Sequence, residues 1–72
     1  MNKKNKIKIV VNGKLLTVNA KFSLKNLIEK LKTPISKVAI ELNEEIADKN
    51  KLKKIFLKNK DKIEIVHFIG GG

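Results

Sequence analysis

Several residue types are missing from this chain, and each absence removes a class of function. There is no cysteine, which excludes disulfides, thiolate nucleophiles and zinc–sulfur sites together. There is no tryptophan or tyrosine, and only Phe22, Phe56 and Phe68 supply aromatic rings. Every one of the 17 basic residues is lysine. A single histidine, His67, cannot build a metal cluster alone. No apolar run is long enough to cross a bilayer. The basic start Met1-Asn2-Lys3-Lys4-Asn5-Lys6 resembles the head of a signal peptide, but the apolar stretch Ile7 to Val11 is broken by Lys8 and too short to follow it. The chain therefore reads as cytosolic, with no membrane partner. At 72 residues it supports one small domain. A chain of that size buries only about 60% of its unfolded surface, which leaves little room for an internal active-site cavity.

The net charge of +10 invites a nucleic-acid reading. Two absences weigh against it. Arginine supplies the planar fork that pairs with phosphate and guanine, and it is not used. No aromatic platform is interleaved with the charge for base stacking. The lysines are spread along the whole chain, which fits a composition bias in the coding sequence better than it fits a ligand. A basic nucleic-acid-binding module stays as the alternative from outside the favoured class.

In chain order, Ile7, Ile9 and Val11 alternate on one side of a strand, with Lys8 and Val10 on the other. Asn12-Gly13 follows, the strongest short hairpin signal, because a type I′ turn needs positive φ at both central residues. Lys14 to Asn19 then reads as the returning strand, with Leu16 and Val18 toward the core. Ser23 is a good helix N-cap, and Leu24, Leu27, Ile28 and Leu31 follow on one helical stripe. Lys30 and Lys32 suit the negative pole of the helix. Pro34 forbids continuation and pushes Thr33 out of the helical region.

Val38-Ala39-Ile40-Glu41-Leu42 alternates as a third strand, with Val38, Ile40 and Leu42 inward. Asn43-Glu44 reads as a tight turn into a brief strand from Glu45 to Ala47. Within 48–57, Leu52, Ile55 and Phe56 are expected to form a single helical turn. Asn59-Lys60-Asp61 is a turn before the last strand. The order is β-β-α-β-(β)-β, an α+β fold in which one amphipathic helix covers one face of a mixed sheet.

Nothing remains to cover the other face. There the last strand carries Glu64, Val66 and Phe68, beside Ala39 and Val10 from other strands. An exposed apolar patch of this kind marks a partner surface. His67 alternates onto the side of Ile63 and Ile65 and reads as a strand-edge residue, since no carboxylate or nucleophile stands at a telling spacing from it.

The last strand, Ile63-Glu64-Ile65-Val66-His67-Phe68-Ile69, runs into Gly70-Gly71-Gly72. Glycine has no Cβ, so three in a row pack nothing and leave a thin arm. Such an arm can be a frayed end or can thread a narrow enzyme channel. The division expected is a domain over 1–69 and a flexible arm over 70–72.

With this order of elements, the segment Val38-Ala39-Ile40-Glu41-Leu42-Asn43 and the run from Asp61 to Gly72 resemble the ThiS family. These are the ubiquitin-like sulfur carriers of thiamine biosynthesis, with the β-grasp fold. Glu44 departs from the family, where glycine often follows the asparagine, and the extra amino-terminal lysines lie outside its pattern. The resemblance implies that Gly72 carries the reactive carboxylate and that Gly70 and Gly71 form its arm. A partner adenylating enzyme would use ATP and magnesium to activate that carboxylate, the carrier itself binding no cofactor. A persulfide sulfur donor would then convert it to a thiocarboxylate, which delivers sulfur to thiazole synthase. The carrier is expected to be a co-substrate and not an enzyme, with Val66, Phe68 and Glu64 docking the partner. The small subunit of molybdopterin synthase, which uses the same chemistry, is the alternative within the fold.

Overall fold

A computed structural model of the chain describes residues 5–68. Strand β1 (Lys6–Val11) pairs antiparallel with β2 (Lys14–Asn19), Ile9 opposite Leu16 and Val10 opposite Leu15. The turn between them has φ 48° at Asn12 and 84° at Gly13, the two positive values that a type I′ hairpin requires. Helix α1 (Leu24–Lys30) follows, then β3 (Val38–Leu42), the two-residue β4 (Glu45–Ile46) and β5 (Lys62–His67). The sheet order is β2-β1-β5-β3-β4, so the last strand lies at its centre. It runs parallel to β1 and antiparallel to β3. This is the expected mixed sheet with one main helix.

Ser23 caps α1 as its residue type predicts. Its Oγ accepts the Asn26 N–H at 2.9 Å while the Asn26 side chain accepts the Ser23 N–H at 3.1 Å, a reciprocal capping box. At the other end the helix stops before Pro34 is reached. Lys32 adopts φ 56°, its N–H donates to the Glu29 carbonyl, and the Thr33 N–H donates to that of Ile28. These two bonds form a Schellman closure. Leu31 is consequently a cap residue at 39% exposure, and only Leu24, Leu27 and Ile28 of the expected stripe are buried.

Those three pack on the inward residues of the sheet. Ile9, Val38, Ile40 and Ile63 are completely buried, and Val18 and Ile65 nearly so. Ile7, Val11, Leu16 and Leu42 sit at the margin of the same core. The alternation in β1, β2, β3 and β5 therefore assigns the faces correctly, because one face of each of these strands is covered.

The stretch 48–57 differs from expectation. A 3-10 helix spans Lys49–Lys54 with Asp48 as its cap, and it contains Leu52 but neither Ile55 nor Phe56. The chain then extends beside the segment that leads into α1. The Leu24 N–H donates to the Ile55 carbonyl at 2.7 Å and the Leu57 N–H to the Phe22 carbonyl at 2.8 Å. Extended backbone has a period of two, so Ile55 and Leu57 turn inward while Phe56 is left 56% exposed. The apolar spacing alone concealed this pairing. Strand β4 is also one residue shorter than the expected Glu45–Ala47, although the Ala47 N–H still bonds to the Ile40 carbonyl at 2.8 Å.

Candidate functional site: the open sheet face and the end of the last strand

With α1 on one face, the alternate residues of each strand face outward. Along β5 these are Lys62, Glu64 and Val66, and pairing fixes their neighbours. Val10 lies beside Lys62, with Leu15 beyond it on β2. Glu41 lies opposite Glu64, with Ile46 beyond it on β4. Ala39 lies opposite Val66. Successive rows are about 6.6–6.8 Å apart, two strand residues. The face thus reads as a row of two aliphatic residues ending in Lys62, a row with two carboxylates, and an apolar row.

Glu64 and Val66 lie on the outward side of β5 as the alternation predicts, and Phe68 follows directly after the end of the strand. Val66 is 51% and Phe68 57% exposed, while Glu64 is half-buried. Val10 and Ala39 are also half-buried beside them. Two further residues of the face were not singled out from the sequence. Leu15 and Ile46 are 67% and 75% exposed, both on outward positions. Leu15 was detectable, since it alternates with the inward Leu16. Ile46 was not, because only the register of Glu41 against Ile46 shows which way a two-residue strand faces.

Glu41 and Glu64 stand directly opposite each other, an arrangement that costs stability when both are charged. The ion pairs among the described residues lie elsewhere, Lys25 with Glu29 at 3.7 Å and Lys62 with Glu44 at 3.9 Å. One lysine does approach the expected site. The Lys49 ammonium stands 5.2 Å from the centroid of the Phe68 ring, within cation–π reach. The backbone of Phe68 is tied as well, its N–H donating to the Lys37 carbonyl at 2.9 Å.

His67 is exposed at the end of β5, paired with Val38. Among the described residues no group of three histidine, cysteine, aspartate or glutamate side chains could hold a metal ion. No helix among them is long and apolar enough to cross a membrane. Gly70, Gly71 and Gly72, together with Ile69, lie outside the described residues, so the arm expected over 70–72 does too.

The family model described as "ThiS family" matches residues 3–72. The chain belongs to the ThiS family. Among solved structures, the thiamine biosynthesis protein ThiS of Geobacter metallireducens is similar, with a TM-score of 0.78 and 32% identity. That similarity covers 92% of this chain and all of the other. The fold is accordingly the ubiquitin-like β-grasp of the ThiS sulfur carriers. Among curated relatives, a thiazole synthase of Paramagnetospirillum magneticum is 38% identical over 66 residues, and one of Magnetococcus marinus 36% over 66. The matched region is 92% of this chain but only 20% of each of those proteins, so the chain spans about a fifth of their length. An uncharacterised protein of Pyropia yezoensis, ycf40, is 30% identical over 92% of this chain and 93% of its own length. Glu44, the departure from the family pattern, has φ 71°, a backbone region that glycine occupies without strain.

Proposed function

We propose that this protein is a sulfur carrier of thiamine biosynthesis whose Gly72 carboxylate is converted to a thiocarboxylate by partner enzymes. The observation that carries this reading is the family match, which extends through 72 and so takes in the glycine run beyond β5. A carboxylate is a poor electrophile, because substitution at its carbon would have to expel oxide. In the proposed sequence a carboxylate oxygen attacks the α-phosphorus of ATP on the adenylating enzyme, and pyrophosphate leaves. Magnesium there balances the phosphate charge. A persulfide sulfur then attacks the acyl carbon, and AMP leaves. A thiol cleaves the resulting S–S bond, becoming a disulfide and releasing the thiocarboxylate. The carrier contributes the reacting carboxylate and a thin approach to it, so it serves as a co-substrate with no cofactor of its own.

Thiazole synthase is the proposed sulfur acceptor. The presence of a region like this chain within two relatives of that name supports it, since one polypeptide there joins the two parts. The open sheet face, with Val66, Phe68 and Glu64, is the proposed contact for the adenylating enzyme. Its exposed apolar side chains would be desolvated on binding, the usual driving term for a partner surface.

The deciding experiment changes the position of the carboxylate and not its chemistry. One alanine added after Gly72 moves the carboxylate by up to about 3.3–3.6 Å, and misplacement by roughly 1 Å can cost on the order of 10² in rate. ATP–pyrophosphate exchange with the cognate enzyme should nearly vanish for the extended protein. Gly71→Val should also fail, because a β-branched side chain crowds a narrow channel and restricts φ. Intact mass of the parent protein should show replacement of one oxygen by sulfur. Normal exchange and sulfur loading by the extended protein would overturn the reading.

A further inference from the structure

An asparagine side chain grips β5 near each of its ends. At the start, Asn43 Oδ1 accepts the Lys62 N–H at 2.9 Å and its Nδ2 donates to Asp61 Oδ1 at 3.0 Å. Further along, Asn12 Oδ1 accepts the Ile65 N–H at 2.7 Å and its Nδ2 donates to the Ile65 carbonyl at 3.1 Å. Both residues are the first positive-φ position of a two-residue turn, at 48° for Asn12 and 52° for Asn43. Asparagine tolerates that conformation better than most residues.

The two grips differ in what surrounds them. Strand β1 accompanies β5 only through Val10 beside Lys62 and Val11 beside Ile63, then turns away. Among the described residues, the Asn12 N–H makes the last main-chain bond on that side, to the Ile63 carbonyl at 2.9 Å. Beyond it the Asn12 carboxamide takes over, offering one donor and one acceptor as a peptide group does. From Val66 to Phe68 the pairing is with β3 and Lys37. Asn43, by contrast, sits where β5 begins and where its backbone N–H also bonds, to the Lys62 carbonyl at 2.7 Å.

We propose that Asn12 is a positioning residue, which sets the direction in which β5 delivers the chain toward its glycine run. A strand paired on one edge belongs to a two-stranded ribbon, which twists more than a sheet interior. Without the Asn12 carboxamide that one-sided stretch would begin after Ile63 and not after Ile65. The catalytic consequence rests on the reading of Gly72 given above, because the residue that moves is the one to be adenylated.

The test compares Asn12→Gly with Asn43→Gly. Glycine keeps both turns accessible, and each substitution removes two side-chain hydrogen bonds to or beside the same strand. Amide hydrogen exchange should quicken over Ile65 to Phe68 in Asn12→Gly and stay at parent rates there in Asn43→Gly. In ATP–pyrophosphate exchange, kcat/KM should fall roughly tenfold or more for Asn12→Gly, as for a displaced reacting group, and stay close to the parent for Asn43→Gly. Equal losses in the two variants, or none in Asn12→Gly, would overturn the proposal. If Asn12→Gly does not fold, Asn12→Asp keeps the acceptor for the Ile65 N–H but loses the donor to the Ile65 carbonyl. Faster amide exchange over Ile65 to Phe68 is expected from it, and parent rates there would overturn the proposal. A parent protein that supports no exchange at all would instead overturn the function of Gly72, and amide exchange would still decide the role of Asn12.

Discussion

On the covered face of the sheet, Ile9, Val38, Ile40 and Ile63 are completely buried, whereas on the opposite face Leu15, Ile46 and Val66 are more than half exposed. Both sets are aliphatic, and both come from strands of the same five-stranded sheet. What separates them is α1, which seals one side and leaves the other bare. Removing apolar surface from water stabilises a fold at roughly 25 cal/mol per Å². The exposed set contributes little of that to folding and holds it available for a partner. Under the proposed docking, aliphatic residues would serve stability on one face and recognition on the other.

Substitutions should respect that division. The largest expected effect is on the covered face. Leu27→Ala removes a fully buried side chain and should cost about 2–5 kcal/mol. A domain this small has about that much to lose, so denaturant titration should show partial or complete unfolding. A parent-like midpoint would show that the helix does not hold the sheet.

A smaller effect, of opposite sign, is expected at the turn that sends β4 and its Ile46 to the sheet edge. Glu44 holds φ 71°, and a left-handed conformation costs an ordinary residue about 1–2 kcal/mol. Glycine relieves that cost but adds freedom to the unfolded chain. Glu44→Gly should therefore raise stability by up to about 1 kcal/mol, even though it gives up the exposed pair with Lys62. A lower melting temperature would mean that the pair outweighs the backbone strain.

Smaller again is the relief of like charge on the open face. Glu64→Gln should stabilise the protein by a few tenths of a kcal/mol, because it ends the opposition to Glu41. The gain should shrink only slightly in high salt, because both carboxylates are half-buried and such pairs are screened less than exposed ones. The smallest expected effect on stability is Phe68→Asp, within about 0.5 kcal/mol of the parent, as for most surface changes. Its consequence should appear instead in calorimetry with the adenylating enzyme, where a desolvated carboxylate would weaken the complex. Unchanged affinity would remove Phe68 from the proposed contact, and a large loss of stability would blur the distinction between the two faces.

Much of this architecture was legible in local patterns. Asn12-Gly13, the cap at Ser23 and the alternation in β1, β3 and β5 each specify a conformation through a few neighbouring residues. The segment from Leu52 to Leu57 misled because a helical turn and a 3-10 turn followed by extended chain place similar apolar residues at similar spacings. Only the long-range pairing with Phe22 and Leu24 separates them. The glycine run and the alternation of Val66 with Phe68 were legible for the candidate site, while Ile46 and the side-chain grip of Asn12 were not.

The sequence by itself determined the order of elements, the turn at Asn12-Gly13, the cap of α1 and which strand residues alternate inward. These follow from backbone preference and hydrophobic period, which act over a few residues. Tertiary structure alone decided that the last strand lies between β1 and β3, that Glu41 faces Glu64, and that Asn12 reaches Ile65 across 53 positions. Each of these joins residues that are distant along the chain. Their geometry is set by strand register and by the cover of α1, which no local pattern contains.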